Sequence, residues 1–388
     1  MRHPAPTAEL AGRVGEAVTS IPLVDLAAQH AAVAEEIAEG WRQVLARTSF
    51  IAGPQVAAFE SEYAAFAGTR HCVGVGNGTD AIEIALRALG VGAGDECIVP
   101  ANTFIATAEA VCRAGATPVL ADCADDGTYL IDTDAVEAAL TPRTRAIIPV
   151  HLYGQAAPVE RLLPLAAKTG AWIVEDAAQA QGARRGDKSA GALGHVAATS
   201  FYPGKNLGAY GDAGAALTES DDLAARMRTI GDHGSRQKYE HEVLGLNSRL
   251  DTLQAVVLSA KLRRLAEWNE ARRAAARRYD VLLSSAEEVI RPRVLDGNEH
   301  VWHLYVVRVP DRDQVIKELH AAGIGAGIHY PVPIHLTSAF ARLGYAEGAF
   351  PVTEQAAQEI LSLPLFPEIS PAQQERVVSV LMAAIQHT

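Results

Sequence analysis

Between His71 and Asp176 the sequence switches repeatedly between two periodicities. That alternation restricts the fold more than any other feature. Apolar runs of strand length occur at about His71–Gly76, Glu96–Pro100, Pro118–Asp122, Ala146–Leu152 and Trp172–Asp176. Helical spacing fills the gaps, at about Ala81–Leu89, Thr103–Ala114, Asp134–Leu140 and Val159–Lys168. Strands alternating with helices predict an open α/β fold with a largely parallel sheet. In such sheets ligands gather at the carboxyl ends of the strands. Gly78, Asp176 and the turn from Ser200 to Lys205 all fall at such ends.

An extended lead-in, Ile21-Pro22-Leu23-Val24-Asp25-Leu26, precedes two helices predicted at about Ala31–Arg47 and Pro54–Phe66. Residues 1–20 read as an extension without a continuous apolar core. A long helix is expected from Leu250 to about Leu283, with Arg263, Arg264, Arg272 and Arg273 mostly off its apolar stripe. Beyond it a strand (Val301–Val309), a helix (Asp313–Ala322), a short strand (Gly325–Tyr330) and two final helices suggest a compact α+β unit. The division expected is therefore an extension at 1–20, a large α/β domain at 21–265 and a small α+β domain at 266–388.

A formal net charge of −12 argues against broad attraction to nucleic acid or an anionic membrane, so a phosphorylated ligand would need a local site. No apolar run approaches the about 18 residues of a membrane span. The cysteines Cys72, Cys97, Cys112 and Cys123 form no CxxC pair and no Cys/His ligand spacing. They read as reduced, mostly buried thiols of a cytoplasmic protein, with no metal site.

Three stretches carry candidate chemistry. The turn Gly76-Asn77-Gly78-Thr79-Asp80 lies between a strand and a helix, where free backbone N–H groups can hold an anion, or where a plain capped turn can bind nothing. Asp176 ends an apolar run, as a site carboxylate or a helix cap. Lys205 sits in the turn Ser200-Phe201-Tyr202-Pro203-Gly204-Lys205-Asn206-Leu207-Gly208, as a solvated hairpin lysine or as a desolvated amine that attacks carbonyls. Jointly they fit an aldehyde cofactor such as pyridoxal 5′-phosphate (PLP). Lys205 would hold the aldehyde, Gly78, Thr79 and Ser200 the phosphate, and Asp176 the ring nitrogen. Gln179 could reach the ring hydroxyl and Phe104 could stack on the ring.

The chain resembles the DegT family of nucleotide-sugar aminotransferases along nearly its whole length. The resemblance is carried by the stretches above together with Pro100-Ala101-Asn102-Thr103-Phe104, Glu175-Asp176-Ala177-Ala178-Gln179, Asp232-His233-Gly234, Gly245-Leu246-Asn247-Ser248-Arg249 and His329-Tyr330-Pro331-Val332-Pro333-Ile334-His335. It implies a fold type I aminotransferase, a mainly parallel seven-stranded sheet in a large domain plus a smaller C-terminal domain. It also implies PLP, cycling with its aminated form PMP, with Lys205 as Schiff-base lysine and proton shuttle. Asp176, Gln179, Phe104, Gly78, Thr79 and Ser200 match the family's cofactor contacts. Asn247 matches a residue that reaches the phosphate of a neighbouring subunit, which implies a homodimer. Tyr210, Arg249, His329, Tyr330 and His335 are the expected substrate residues. Relatives with histidine in place of the lysine are dehydratases, so Lys205 implies transamination, with L-glutamate as donor. The wording from Phe201 to Gly214 resembles members that aminate C3 of dTDP-3-keto-6-deoxyhexoses, such as those serving antibiotic biosynthesis. C4 amination and a non-catalytic regulatory protein on the same fold are the alternatives.

Overall fold

The computed structural model describes residues 20–386. Apart from Ser20, the extension expected at 1–20 lies outside the described residues. A seven-stranded sheet forms the centre. Its strands are β1 (His71–Val75), β2 (Glu96–Pro100), β3 (Thr117–Ala121), β4 (Thr144–Ile147), β5 (Trp172–Asp176), β6 (Val196–Ser200) and β7 (Gly214–Thr218). Their spatial order is β1-β7-β6-β5-β4-β2-β3. Pairings from β6 through β5, β4 and β2 to β3 are parallel, whereas β7 runs antiparallel to both of its neighbours. The mainly parallel α/β expectation therefore holds. The strands read as apolar runs because both faces of the sheet are covered, and β2 and β7 are buried at every position.

Helices α1 (Leu26–Ala31), α2 (Ala34–Arg47) and α3 (Pro54–Ala67) precede the sheet. α2 meets the helix expected at about Ala31–Arg47, and α1 is a further short helix ahead of it. Asp25 caps α1 by accepting from the Ala28 N–H at 2.9 Å. The central helix α4 (Gly78–Ala88) is buried along most of its length between the sheet and its neighbours α5 (Ile105–Arg113) and α8 (Asp221–Gly231). α4 starts at Gly78 rather than at Ala81, because Asn77 caps it through the Asp80 N–H at 2.8 Å. The N–H groups of Gly78 and Thr79 are thus brought into the helix mouth. Helices α6 (Thr133–Ala138) and α7 (Val159–Thr169) pack behind β4 and β5.

The 31-residue helix α9 (Thr252–Leu282) is about 46 Å long. Its first half packs on α2 and α3 through Val257, Ala260 and Leu265. Its last turns carry Ala275, Ala276 and Tyr279 into a second core. The division expected at 265/266 falls inside this unbroken helix. The second core gathers β8 (Tyr305–Arg308), α10 (Arg312–Ala321), β9 (Ile360–Leu363) and α12 (Pro371–Gln386), with α11 (Pro351–Glu359) leading into β9. Arg272 departs from the expected pattern. It is 2% exposed, and its guanidinium donates to the carbonyls of Trp302 and Leu365 at 3.2 and 2.9 Å. Those bonds satisfy a charge that burial pushes down to about 10.

The strand expected at Gly325–Tyr330 does not form. Only single bridges, Ile324 to Ile21 and Gly327 to Ser362, are made there. The reason is the lead-in. Gly325 donates to the Ile21 carbonyl at 2.7 Å, and a Cβ on Gly325 would lie 2.7 Å from the Leu23 nitrogen. The lead-in is thereby pinned beside the mouth of the sheet. All four cysteines are free thiols. Among the described residues no helix is long and apolar enough to cross a membrane, and no group of side chains could hold a metal ion.

Candidate active site

At the carboxyl ends of β5 and β6 lies a cleft of about 770 Å³. Its wall brings together Gly78, Thr79, Phe104, Asp176, Gln179, Ser200, Lys205, His329 and Tyr330, residues scattered over 250 positions of chain. Lys205 is held by a tightly folded connection between β6 and β7. Phe201, Asn206 and Leu207 are buried beneath it, and the Lys205 N–H donates to the Tyr202 carbonyl at 2.8 Å. Gly208 has no room for a side chain, since a Cβ there would overlap the Pro203 carbonyl. The buried Lys261 ammonium donates to the Gly208 carbonyl at 2.7 Å and to Gln29 at 2.8 Å, which ties the connection to α1 and α9. Burial pushes the Lys205 amine down to about 8, with the Asp176 carboxylate acting against that shift.

Asp176, 5% exposed at the end of β5, accepts from the Thr107 hydroxyl at 2.8 Å and the Ala178 N–H at 3.1 Å. Thr107 is in turn 3.0 Å from the Thr103 hydroxyl. Gln179 accepts from the Tyr153 N–H at 2.6 Å and donates to the Tyr330 hydroxyl at 3.0 Å. The Tyr330 ring stands 5.2 Å from Phe104, whose own side chain is half exposed to the cleft. Burial, and then Asp176, raises the Tyr330 phenol above its ordinary value, so it stays a neutral hydroxyl. His329 bonds Ser362 at 2.8 Å, and burial together with Lys205 pushes it down to about 4.

The anion mouth is built by backbone contact. A Cβ on Gly78 would lie 2.6 Å from the Ser200 Cβ, and one on Gly214 would overlap the Asn77 backbone. Glycine at both positions lets α4 approach β6 and β7 closely. The first N–H groups of α4 have no acceptor within the helix, and Asn77 covers only that of Asp80. A phosphate fits there, a protonated ring nitrogen fits Asp176, and an aldehyde fits Lys205. The residues present therefore suit PLP.

The DegT/DnrJ/EryC1/StrS aminotransferase family model matches residues 31–382. The chain belongs to that family. Among curated relatives, the "pleiotropic regulatory protein" of Geobacillus stearothermophilus is 47% identical over 95% of this chain and 99% of its own. The dTDP-3-amino-3,4,6-trideoxy-α-D-glucose transaminase of Streptomyces venezuelae is 46% identical over 92% of this chain and 94% of its own. The UDP-N-acetyl-3-dehydro-α-D-glucosamine 3-aminotransferase of Acidithiobacillus ferrooxidans is 46% identical, with 94% and 97% covered. The crystal structure of S. venezuelae DesV in complex with a ketimine intermediate superposes with a TM-score of 0.92 at 44% identity, covering 94% and 98% of the two chains.

Several residues expected from the DegT resemblance lie away from this cleft. Asn247 is exposed and bonds Arg249, which pairs with Asp232 at 2.9 Å beside a second cleft of about 650 Å³. Tyr210 faces the opposite side of its loop, 2.5 Å from His30 and under the Lys261 ammonium. His335 is 3% exposed and bonds Glu354 at 2.8 Å, pinning the loop ahead of α11. Conversely, Leu23, Val24, Thr107 and His303 line the cleft and were not singled out from sequence. Thr107 lies on the face of α5 turned to Asp176, a pairing across 69 positions. The lead-in residues had no polar signature.

Proposed function

We propose that this protein is a PLP-dependent transaminase. It moves an amino group from L-glutamate to C3 of a nucleotide-linked 3-keto-6-deoxyhexose, with dTDP as the carrier, in the cytoplasm. The convergence of Lys205, Asp176 and the Gly78–Ser200 mouth on one cleft carries this reading. The Streptomyces and Acidithiobacillus relatives, both named for amination at C3, support the position.

When bound, PLP supplies an electron sink for the carbon next to the reacting nitrogen. The chain supplies the rest. The mouth of α4 with Ser200 would hold the phosphate, and Asp176 would keep a proton on the ring nitrogen. Phe104 and Tyr330 would flank the ring and exclude water. Lys205, with its pKa pushed down to about 8, becomes the free amine at far lower pH than an ordinary lysine and can carry a proton between the two carbons that flank the reacting nitrogen. Incubation with 3-keto and 4-keto dTDP-sugars and glutamate should give one equivalent of 2-oxoglutarate per amino sugar, with the new C–N bond at C3 by NMR. A bond at C4 overturns the position. Absence of 2-oxoglutarate would favour the regulatory role that the Geobacillus relative's name suggests.

The active unit is proposed to be a homodimer. Asn247 is exposed and outside its own cleft, and the neighbouring hairpin exposes Tyr239, Val243 and Leu244, which is consistent with a second copy covering them. Mixing inactive Lys205→Ala and Asn247→Asp chains should restore roughly a quarter of wild-type activity, since one of the two sites in each mixed dimer is then intact. No recovery after co-refolding would argue that each chain completes its own site.

A further inference from the structure

Behind the cleft wall lie a buried acid and a buried imidazole that the proposed chemistry does not use. Glu175 precedes Asp176 on β5 and so takes the opposite face of the sheet. Both it and His151 are fully buried. Glu175 Oε1 accepts from the Leu193 N–H at 2.8 Å and the Gly194 N–H at 2.7 Å. Its Oε2 accepts from the Gly191 N–H and from His151 Nε2, both at 2.7 Å. The ring's tautomer follows from its other nitrogen. The Ala157 N–H can only donate, and it meets His151 Nδ1 at 3.0 Å, so Nδ1 is bare and the proton sits on Nε2. Both ring nitrogens are engaged, and the ring cannot turn without losing a bond. His151 also opens a sharp turn over residues 152–154, and its backbone N–H donates to the Asp176 carbonyl at 3.0 Å. Within the turn Tyr153 takes a left-handed φ of 59°, a conformation that persists in such a residue only where its surroundings enforce it. The Leu304 and Val301 N–H groups clamp the far side through the Tyr153 and Gly154 carbonyls, at 3.2 and 2.9 Å. So held, the Tyr153 N–H reaches Gln179 Oε1 at 2.6 Å, and its hydroxyl donates to the His329 carbonyl.

Because the Tyr153 N–H takes the Gln179 oxygen, the amide nitrogen is the end turned to the Tyr330 hydroxyl, at 3.0 Å. One of its two hydrogens goes there. Among the described residues the second has no acceptor, and Gln179 lines the Lys205 cleft. We propose that His151 and Glu175 are positioning residues for Gln179: the pair locks the turn that carries the Tyr153 N–H, and that N–H fixes the amide so that Gln179 offers the cleft its donors and never its carbonyl. The inference rests on the transaminase reading, in which Gln179 meets the ring hydroxyl of PLP. An amide donor suits that oxygen when it is ionised, whereas a carbonyl turned toward it would repel it. No proton changes hands in this role. The pair acts only through the orientation of one amide.

The tautomer is read on the full chain without cofactor, labelled with ¹⁵N-histidine. The resonances lost in His151→Gln should report a bare Nδ1 and a protonated Nε2; a proton on Nδ1 overturns the proposal. Hydrogen exchange on the same cofactor-free protein reads the turn. His151→Leu leaves Glu175 its three backbone donors, and should speed exchange of the Tyr153 N–H at least about tenfold while the β2 amides stay protected. His151→Gln, whose amide can still donate to Glu175, guards against a folding defect and should lie nearer the wild type. Unchanged exchange in His151→Leu overturns the proposal. So does a rise shared by β2, which would make the pair a support of the whole fold. In the loaded enzyme His151→Leu should lower kcat about tenfold, with KM for the nucleotide sugar within about twofold. Gln179→Ala should lower kcat as well, and adding His151→Leu to it should cost less than about twofold more, because both act through one amide. Losses that multiply overturn the positioning role. If the protein aminates no sugar, the transaminase reading fails, while the tautomer and the exchange rates still decide whether the pair holds the turn.

Discussion

Lys205→Ala should abolish amino transfer, by about 10⁴-fold or more, while leaving a folded protein that binds PLP without the visible absorbance of a lysine-linked cofactor. The expected size follows from two roles lost at once, covalent capture and proton transfer. Persistence of the band in a folded variant would sink the assignment of Lys205. The same residue sets a pH dependence. Lys205 in the fold sits at about 8, below the ordinary 10.5. Cofactor capture by the cofactor-free wild type should therefore rise with a midpoint near pH 8 and level off, rather than climb toward 10.5. The sign for stability is opposite to that of a salt-bridged lysine. Between about 8 and 10.5 the unfolded chain binds more protons, so this group's contribution to stability rises with pH across that window. Below pH 8 the full cost of the buried ammonium is present, roughly 3 kcal/mol. Cofactor-free Lys205→Ala should then match or exceed the wild type in stability at pH 7, by up to that amount less the packing of the lost methylenes. Its advantage should shrink above pH 10, as read from denaturant midpoints at the two pH values.

What could be read from sequence, and what could not, divides along the range of the interactions. β2 and β5 were legible to the residue, because each is a short apolar run with both faces buried. The carboxyl-end rule places Asp176 and the Lys205 turn at one edge of the sheet from sequence alone. The start of α4 was misplaced by three residues because Asn77 acts as its cap, a choice made by one side-chain bond rather than by periodicity. Gly325–Tyr330 has strand-like residues but not a strand's ladder, because the lead-in takes up the backbone groups there. His335 reads as a site residue from its motif, yet Glu354 turns it into the core. Arg272 reads as surface, yet two carbonyls from distant loops make its burial tolerable. His303 lay unnoticed inside an expected strand. Its setting depends on Asn206, Asn269 and Gln181, partners that no local window contains.

Asp176→Asn should lower kcat by about 10³-fold or more while retaining the fold and cofactor binding. Asn and Asp have nearly the same shape, so packing is preserved and the effect isolates charge and donor direction. Ala178 N–H can only donate, which forces the asparagine oxygen onto it and turns the Nδ2 group toward Thr107 and the cleft. Thr107 can adapt, since its hydroxyl can accept as well as donate. The ring nitrogen cannot adapt without cost, for it then meets an amide donor in place of a carboxylate and is driven to its unprotonated form. An unprotonated pyridine is a poorer electron sink, so the proton-transfer step slows even with Lys205 intact. Asp176→Glu keeps the charge but displaces it by one methylene and breaks the paired contacts with Thr107 and Ala178, and should fall between wild type and Asp176→Asn. Thr107→Val removes one of the two donors to the carboxylate and should cost no more than about tenfold. Single-turnover rates with glutamate rank the three variants. If Asp176→Asn proved as fast as wild type in that half-reaction, the carboxylate would be a structural acceptor for Ala178 and Thr107 at the end of β5 and nothing more.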